Sequence, residues 1–139
     1  MRFCRICLMM VVFSCFFLSA AHSGNSPDKA GILQFFNEME NAWNVKDADA
    51  YMTFFHKDLK LKLGKPGQVK YYSWDEYAKI LPDRIEKFGP FKMVDPAILK
   101  LEGGTAKAKV IVRKKTRDYV NVFNMVWEEG RWQISSNEW

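Results

Sequence analysis

Hydrophobic residues follow a helical period in the first part of the chain. Between residues 30 and 44 they recur every three or four positions, with polar residues on the other side. This spacing predicts an amphipathic helix. Ser26 is placed to cap its start, with Pro27 at the first helical position, where a missing N–H costs nothing. Asp47 is placed to cap a second, shorter helix that reaches Phe55.

The segment that follows combines a strand with a third helix. Leucines alternate with lysines over residues 59–63, which predicts a strand with one buried and one solvated face. Residues 64–68 have the composition of a turn. Ser73 and Glu76 form the pattern of a capping box that opens the third helix. Pro82 lies where this helix would continue, so we expect a kink or a restart there.

From residue 91 onward the hydrophobic period changes to two, which is typical of strands. Strands are predicted over residues 91–94, 97–102, 105–114, 119–128 and 131–137. The glycine pair Gly103-Gly104 and the dipeptide Glu129-Gly130 are the predicted hairpin loops. Helices first and a long antiparallel sheet afterwards predict an α+β fold, with the helices packed on one face of a curved sheet.

The lengths of two hairpin loops predict the register of their strands, and so which side chains lie opposite one another. In the last hairpin, a two-residue loop places Trp127 opposite Trp132 and Met125 opposite Ile134. A two-residue loop at the glycine pair aligns a second set on one side: Leu99, Leu101, Ala106, Ala108, Val110 and Val112. The small alanines in that set leave room for a helix or a ligand.

Residues 1–23 are predicted to be a cleaved secretory signal. Two arginines precede an apolar run that is too short to span a bilayer, and small residues follow it. The small residues allow cleavage before His22 or before Gly24. The mature protein is then a single domain, residues 24–139, in the periplasm or secreted, without a stable membrane anchor.

Removal of the signal changes the composition. The chain of 139 residues carries 21 basic and 16 acidic residues, and its three cysteines all lie within residues 1–23. Cleavage before Gly24 also removes two arginines, so the net charge falls from +5 to +3. The mature domain has no thiol, which suits an oxidising compartment. Aromatic residues, 15% of the full chain, are the remaining clue: they either fill the core or line a pocket.

Two segments of the mature chain resemble the NTF2-like superfamily, also called SnoaL-like. In the first, Trp43-Asn44 ends a helix, Asp47-Ala48-Asp49 forms a turn, and Phe55-His56-Lys57-Asp58 leads into the first strand. In the second, Gly130-Arg131-Trp132-Gln133-Ile134 closes the last hairpin. The resemblance covers residues 30–139. It implies a cone-shaped sheet around helices, a pocket at the open end, and frequent dimerisation through the outer sheet face.

A narrower resemblance is to the NTF2-like accessory domains of some periplasmic cell-wall transpeptidases of bacteria. It rests on Ala42-Trp43, residues 47–51, Trp74 and the closing Gly-x-Trp-x-Ile pattern. Nothing in the chain resembles the catalytic domain that those proteins carry. The resemblance therefore implies only an accessory role, related to the cell envelope.

The steroid-isomerase branch of the superfamily uses a tyrosine on the first helix and an aspartate in the first strand. The corresponding positions here are Met39 and Leu63, neither of which can act as an acid or a base. We therefore predict no catalytic residues of this kind. The common signatures of hydrolases, zinc proteases and phosphate-binding loops are also absent from the sequence.

The candidate ligand pocket is drawn from aromatic and polar residues on the predicted elements. Its members are Trp43, Tyr51, Phe55, Trp74, Tyr77, Arg113, Tyr119, Asn121, Phe123, Trp127 and Trp132. We predict an exported, non-catalytic binding or accessory module that takes a small apolar ligand in this pocket or a protein partner on a sheet face. The alternative is an isomerase, dehydratase or hydrolase with a non-standard site there. A homodimer through Val120, Val122 and Val126 is a third possibility.

Charged residues predict neither a metal nor a cofactor. His56 and Asp58 alone provide too few ligands for a metal site. A basic cluster follows one hairpin: Lys107, Lys109, Arg113, Lys114, Lys115 and Arg117. The cluster is either a solvated edge that lysines protect against aggregation, or a surface attracted to anionic cell-wall polymers or lipid headgroups. No nucleic-acid partner is expected for an exported chain.

Overall fold

A computed structural model describes residues 26–115 and 117–139. The predicted signal at residues 1–23, with its cleavage sites and cysteines, lies outside the described residues. Within them the chain order is α1 (Lys29–Asn44), α2 (Ala48–Met52), β1 (Phe55–Lys65), β2 (Gln68–Tyr72), α3 (Trp74–Phe88), β3 (Lys92–Glu102), β4 (Thr105–Lys114), β5 (Arg117–Glu128) and β6 (Arg131–Glu138). None of the helices in this part of the chain is long and apolar enough to span a membrane.

The first two helices begin at side-chain caps. Asp28, and not Ser26, caps α1: its Oδ1 accepts a hydrogen bond from the Gly31 amide at 2.9 Å. Ser26 Oγ donates to the same oxygen at 2.8 Å. Ser26, the predicted cap, therefore orients the side chain of Asp28, which is the cap in the structure. Asp47 caps α2 as predicted. That helix ends earlier than predicted, and Phe55 opens β1.

A capping box opens α3, as the sequence predicts. The Ser73 amide donates to Glu76 Oε2 at 2.9 Å, and the Glu76 amide donates to Ser73 Oγ at 3.2 Å. Of the two expectations at Pro82, a restart is wrong, since α3 is continuous through it. Pro82 lies on the exposed side of the helix, while its neighbour Leu81 is buried in the core. Tyr77, Leu81 and Ile85 are buried on both sides of Pro82, so packing of the apolar face supports the helix through the proline.

Replacing Ser73 by alanine is expected to lower the free energy of unfolding by about 1 kcal/mol, because the Glu76 amide loses its acceptor. Urea denaturation measures this change. Ser73→Asp is the matched control, since aspartate is also a good N-cap residue and is expected to retain most of the stability. Equal losses in the two variants would show that the cap contributes nothing.

The strands form one sheet in the order β2-β1-β6-β5-β4-β3, and only the β1–β6 pair among the described pairs is parallel. The predicted register of the last hairpin is confirmed: Trp127 pairs with Trp132, and Met125 with Ile134. β2 is a strand that the sequence pattern missed, since residues 64–68 were expected to be a turn and no strand was expected after them. It is exposed along almost its whole length, so it has no buried face and no alternation.

β3 is one strand where two were expected. The two predicted segments join across an irregular stretch at Asp95 and Pro96, and Asp95 has a left-handed φ of 50°. A second register shift lies between Ile98 and Lys100. Leu101 pairs with Ala106 as the two-residue loop predicts, but Ile98 and not Leu99 pairs with Ala108, so the predicted alignment of Leu99 is wrong. Leu99 is 54% exposed and Leu101 39% exposed at this sheet edge. Ala106, Ala108, Val110 and Val112 are buried, as expected.

The helices cover the concave face of this curved sheet. Phe36 of α1 packs against Phe123 of β5, with the ring centroids 6.0 Å apart. Met125, Trp132 and Ile134 on the same face are at most 1% exposed. The predicted α+β cone, helices on a strongly curved and mostly antiparallel sheet, is therefore confirmed. Part of the concave face remains uncovered, and this space is the candidate site.

Candidate functional site

A cavity of about 620 Å³ lies between the three helices and the sheet. Met39 and Trp43 of α1, Tyr51 of α2 and Tyr77 of α3 form its helical side. The sheet contributes apolar side chains including Leu61, Met93, Val112 and Phe123, together with residues near the ends of β1 and β6. The volume is that of a pocket for a small molecule.

Seven of the eleven predicted pocket residues line this cavity: Trp43, Tyr51, Phe55, Tyr77, Tyr119, Asn121 and Phe123. Trp43 lies at the centre of the aromatic wall, with Tyr51 at 5.2 Å and Phe91 at 4.9 Å between ring centroids. Its indole Nε1 donates to the Gly89 carbonyl at 2.8 Å. Four rings of the cavity wall, Trp43, Tyr51, Phe55 and Tyr77, are at most 5% exposed, so they belong to the core as well.

Trp74, Trp127 and Trp132 lie elsewhere. Trp132 is buried where α1 begins, and its Nε1 donates to the Ser26 carbonyl at 3.0 Å. Trp127 packs edge-on against it at 5.5 Å. Trp74 donates to the Met52 carbonyl at 3.2 Å. These tryptophans share the apolar pattern of the pocket residues, but Trp132 joins the sheet to the segment before α1, and Trp74 joins α3 to α2.

Arg113 also lies outside the cavity lining. Its Nε and Nη2 donate to the two carboxylate oxygens of Asp118 at 2.8 and 2.9 Å, and its side chain is half exposed. The bond to Arg113 lowers the pKa of Asp118, which is therefore ionised at neutral pH. Asp118 is the one acidic residue of the described cavity wall, and both its oxygens are engaged by Arg113.

Two asparagines clamp the backbone around the cavity. Asn44 at the end of α1 donates to the Phe91 carbonyl at 2.9 Å and accepts from the Phe91 amide at 3.0 Å. Asn137 of β6 bonds in the same two-way manner to the Lys62 amide and carbonyl, at 2.6 and 2.9 Å. The latter pair supports the irregular β1–β6 ladder, so the cavity wall is fixed without continuous backbone pairing.

Two buried phenol groups face the cavity. Burial raises the pKa of Tyr51 well above its ordinary value, and the adjacent Tyr77 hydroxyl adds to this effect. Burial also raises the pKa of Tyr77, although the nearby Arg84 guanidinium opposes the shift. Both hydroxyls are therefore protonated at neutral pH and can donate hydrogen bonds to a ligand.

Two cations, Arg84 and Lys114, enter this aromatic surrounding. The Arg84 guanidinium lies 4.8 Å from the Phe88 ring centroid, and its Nε is buried without a hydrogen-bond partner. Lys114 Nζ lies 4.4 Å from the same centroid, 5.4 Å from that of Trp43 and 5.7 Å from that of Tyr119. Burial, and then the charge of Arg84, lower the pKa of Lys114 to about 8.

Neither cation has an acidic partner among residues 26–115 and 117–139. The ion pairs found there join other residues, and Asp118 is engaged by Arg113. Desolvated charges in an apolar site are costly unless a counter-charge compensates them. The cavity therefore combines aromatic walls with an uncompensated positive charge, which is suited to an anionic group on an otherwise apolar molecule.

Arg84 is a site residue that the sequence pattern did not predict, and Lys114 was predicted only as a member of the basic cluster. Arg84 and Lys114 each lie on the same face of their element as buried apolar residues. Arg84 lies seven residues after Tyr77 and four before Phe88, which is the spacing of one helix face. Lys114 continues the alternation of Val110 and Val112 on β4. In both elements, a charged residue at a position where the pattern expects an apolar one was the sequence signal that could have identified these site residues.

The rest of the predicted basic cluster lies apart from this cavity. Lys107 pairs with Glu138 at 3.1 Å, and Lys109 is exposed on the other side of β4 from Lys114. Lys115 and Arg117 line a second, smaller cavity of about 230 Å³ beside the first. The cluster is therefore not one continuous surface.

The positions that carry acid and base in steroid isomerases are Met39 and Leu63, and both side chains line the cavity. His56 lies outside the lining: its Nε2 is 2.7 Å from Glu128 Oε2, and its Nδ1 accepts from the Asp58 amide. Across the described part of the chain, no group of three potential ligands could hold a metal ion.

Comparison with known families places the chain. A family described as "Putative lumazine-binding" matches residues 27–139. The chain belongs to this family. The match includes every helix and strand described above and all the residues of the cavity. No curated protein matches the chain.

Solved structures share the fold. An NTF-2 like protein of unknown function from Shewanella oneidensis MR-1 is 24% identical with a TM-score of 0.61, covering 76% of this chain and 93% of that one. An NTF2-like protein of unknown function from Pseudomonas putida KT2440 is 14% identical with a TM-score of 0.62, covering 78% of this chain and 82% of that one. A Novosphingobium aromaticivorans protein named "putative aromatic ring hydroxylase" is 17% identical with a TM-score of 0.64, covering 76% of this chain and 82% of that one. With the family match, they confirm the NTF2-like superfamily; at these identities they show the fold alone.

Proposed function

We propose that this protein binds a small, mainly apolar molecule that carries an anionic group such as a carboxylate. The observation that supports this most is the pair Arg84 and Lys114, which face an aromatic cavity without an acidic partner in the described chain. The family description, lumazine-binding, also supports a small ligand.

The cavity offers separate surroundings for the two parts of such a ligand. Trp43, Phe55 and Phe123 provide apolar surface for a ring or chain. An anionic group beside Arg84 gains a charge-assisted bond, and the hydroxyls of Tyr51 and Tyr77 can donate to it. Bound there, the anion compensates two partly buried charges that have no acidic partner in the described chain, so it is favoured over a neutral molecule of the same shape.

Among the ionisable groups of the described cavity wall, only Lys114 has a pKa shifted toward neutrality, and the wall holds no free carboxylate to pair with it in acid–base catalysis. The wall's one described carboxylate is engaged by Arg113, and its two buried phenols keep their protons at neutral pH. Export and an accessory role in the cell envelope stay predictions. They rest on residues 1–23, which the structure does not describe, and on the sequence resemblance.

A fluorescent probe pair tests the preference for an anion. We expect 1-anilinonaphthalene-8-sulfonate, an apolar anion, to bind with higher affinity than the neutral N-phenyl-1-naphthylamine, which has nearly the same rings. Replacing Arg84 by glutamine is expected to weaken binding of the anionic probe about tenfold, which corresponds to about 1.4 kcal/mol, and binding of the neutral probe less than twofold. Fluorescence titration gives both affinities.

The matched control is Lys79→Gln, which removes a cation from the exposed side of the same helix. It is expected to leave both affinities unchanged. Near-ultraviolet circular dichroism checks that each variant keeps its tertiary packing, because the anionic probe also binds loosened proteins. If Arg84→Gln weakens both probes equally, or neither, the proposed preference for an anion is wrong.

A further inference from the structure

We propose that the Lys114 amine reacts reversibly with 2-oxo acids in the cavity, forming an imine at the ketone carbon while Arg84 holds the carboxylate. The inference rests on the proposed function, because it uses the same cavity and the same anion contact. It adds a substrate class and a covalent step.

The position of Lys114 is unusual for a lysine on a strand. Its Nζ is directed among the rings of Phe88, Trp43 and Tyr119, and it forms no ion pair within the described chain. Arg84 lies against the same Phe88 ring. Both side chains line the same cavity, and the charge of Arg84 acts on Lys114. In a 2-oxo acid the carboxylate carbon and the ketone carbon are directly bonded, so a single ligand carries the two groups that these side chains would engage.

The surroundings also make the amine reactive. A lysine that is desolvated beside another cation loses its proton more readily, and the free amine is the nucleophile. With a pKa of about 8, a substantial fraction of Lys114 is free amine in mildly alkaline solution. The buried Tyr51 and Tyr77 keep their protons in this range. Lys62 and Lys65 enter the cavity wall from β1, a strand that is not adjacent to β4.

The step balances without an oxidant or a reductant. The Nζ lone pair attacks the ketone carbon, a C–N bond forms, and the π electrons of the C=O bond move to oxygen. That oxygen takes up two protons in all, which the nitrogen loses, and leaves as water. The products are a C=N bond and one water molecule, and hydrolysis reverses the reaction.

Reductive trapping tests the inference. The purified chain is incubated with phenylpyruvate and sodium cyanoborohydride, which converts the imine into a stable secondary amine. Intact-mass spectrometry and peptide mapping locate the adduct. We expect Lys114 to be labelled at least tenfold faster than Lys109, the exposed lysine on the same strand. Relative to free butylamine, whose pKa is close to the ordinary lysine value of 10.5, the rate at Lys114 is expected to have its largest advantage at pH 7 and to lose about tenfold of it by pH 9, because the free-amine fraction of butylamine rises more steeply.

Two variants assign the roles. Lys114→Arg is expected to abolish the fast adduct while it keeps a positive charge in the cavity. Arg84→Gln is expected to slow labelling by phenylpyruvate about tenfold and labelling by the neutral ketone phenylacetone much less, since the neutral ketone loses only the effect of the Arg84 charge on the pKa of Lys114. Lys109→Arg is the control and is expected to leave the fast adduct in place.

The compound 3-phenylpropionate, which has the carboxylate but no ketone, separates the two proposals. If it binds in competition with the anionic probe and phenylpyruvate still gives no preferential adduct on Lys114, the imine inference is overturned and the proposed function stands. If neither 3-phenylpropionate nor the anionic probe binds, the proposed function itself is overturned. Equal labelling of Lys114 and Lys109 also contradicts the imine inference.

Discussion

Replacing Trp132 by alanine is expected to lower the free energy of unfolding by about 4 kcal/mol. The side chain is 1% exposed, and it packs edge-on against Trp127 with ring centroids 5.5 Å apart. Truncation of a buried aromatic residue costs about 3–5 kcal/mol, since contacts are lost and a cavity remains. The Ser26 carbonyl, which accepts from its indole at 3.0 Å, would also lose its donor.

Trp139→Ala is the matched control for this prediction. Trp139 is 41% exposed, and Lys62 Nζ lies 4.0 Å from its ring centroid. Its replacement is expected to cost less than about 1 kcal/mol, because little buried surface is lost. Urea denaturation followed by far-ultraviolet circular dichroism compares the two variants. Losses of similar size would mean that Trp132 does not anchor the start of α1 to the sheet.

The fold could be predicted from sequence where local rules decide it. The period of three and four before Asn44 and the two-residue loop before Arg131 each have one favourable arrangement, and α1 and the last hairpin follow them. The hydrophobic pattern did not predict the structure correctly where contacts with neighbouring elements determine it. β2 has no buried face, and α3 passes Pro82 because its apolar face is packed on both sides.

The candidate site shows the same division between local and tertiary information. The predicted pocket includes Tyr119, Phe123 and Trp127 of β5, but the pattern along one strand does not tell which part of the concave face the helices cover. Trp127 therefore lies outside the cavity, while Tyr119 and Phe123 line it. Arg84 is brought to Lys114 only by the packing of α3 on the sheet. No sequence rule joins these two positions.

Raising the pH from 7 to 10 is expected to stabilise the unmodified chain by about 1–2 kcal/mol relative to Lys114→Met. In the folded state the pKa of Lys114 is lowered to about 8 from the ordinary lysine value of 10.5. Between these two values the unfolded chain binds more protons than the folded chain, so the free energy of unfolding rises with pH. The magnitude allows for solvent screening of a partly exposed amine.

The comparison is made at each pH between variants, so that the contributions of the buried tyrosines cancel. Urea denaturation at pH 7, 8, 9 and 10 gives the difference in unfolding free energy. Lys109→Met, which removes an exposed lysine from the same strand, is expected to give a difference that does not change with pH. A flat difference for Lys114→Met as well would show that the folded cavity does not disfavour the ammonium form. The free amine that imine formation needs would then be scarce at neutral pH, whereas a rising difference gives the pH range in which trapping should become fast.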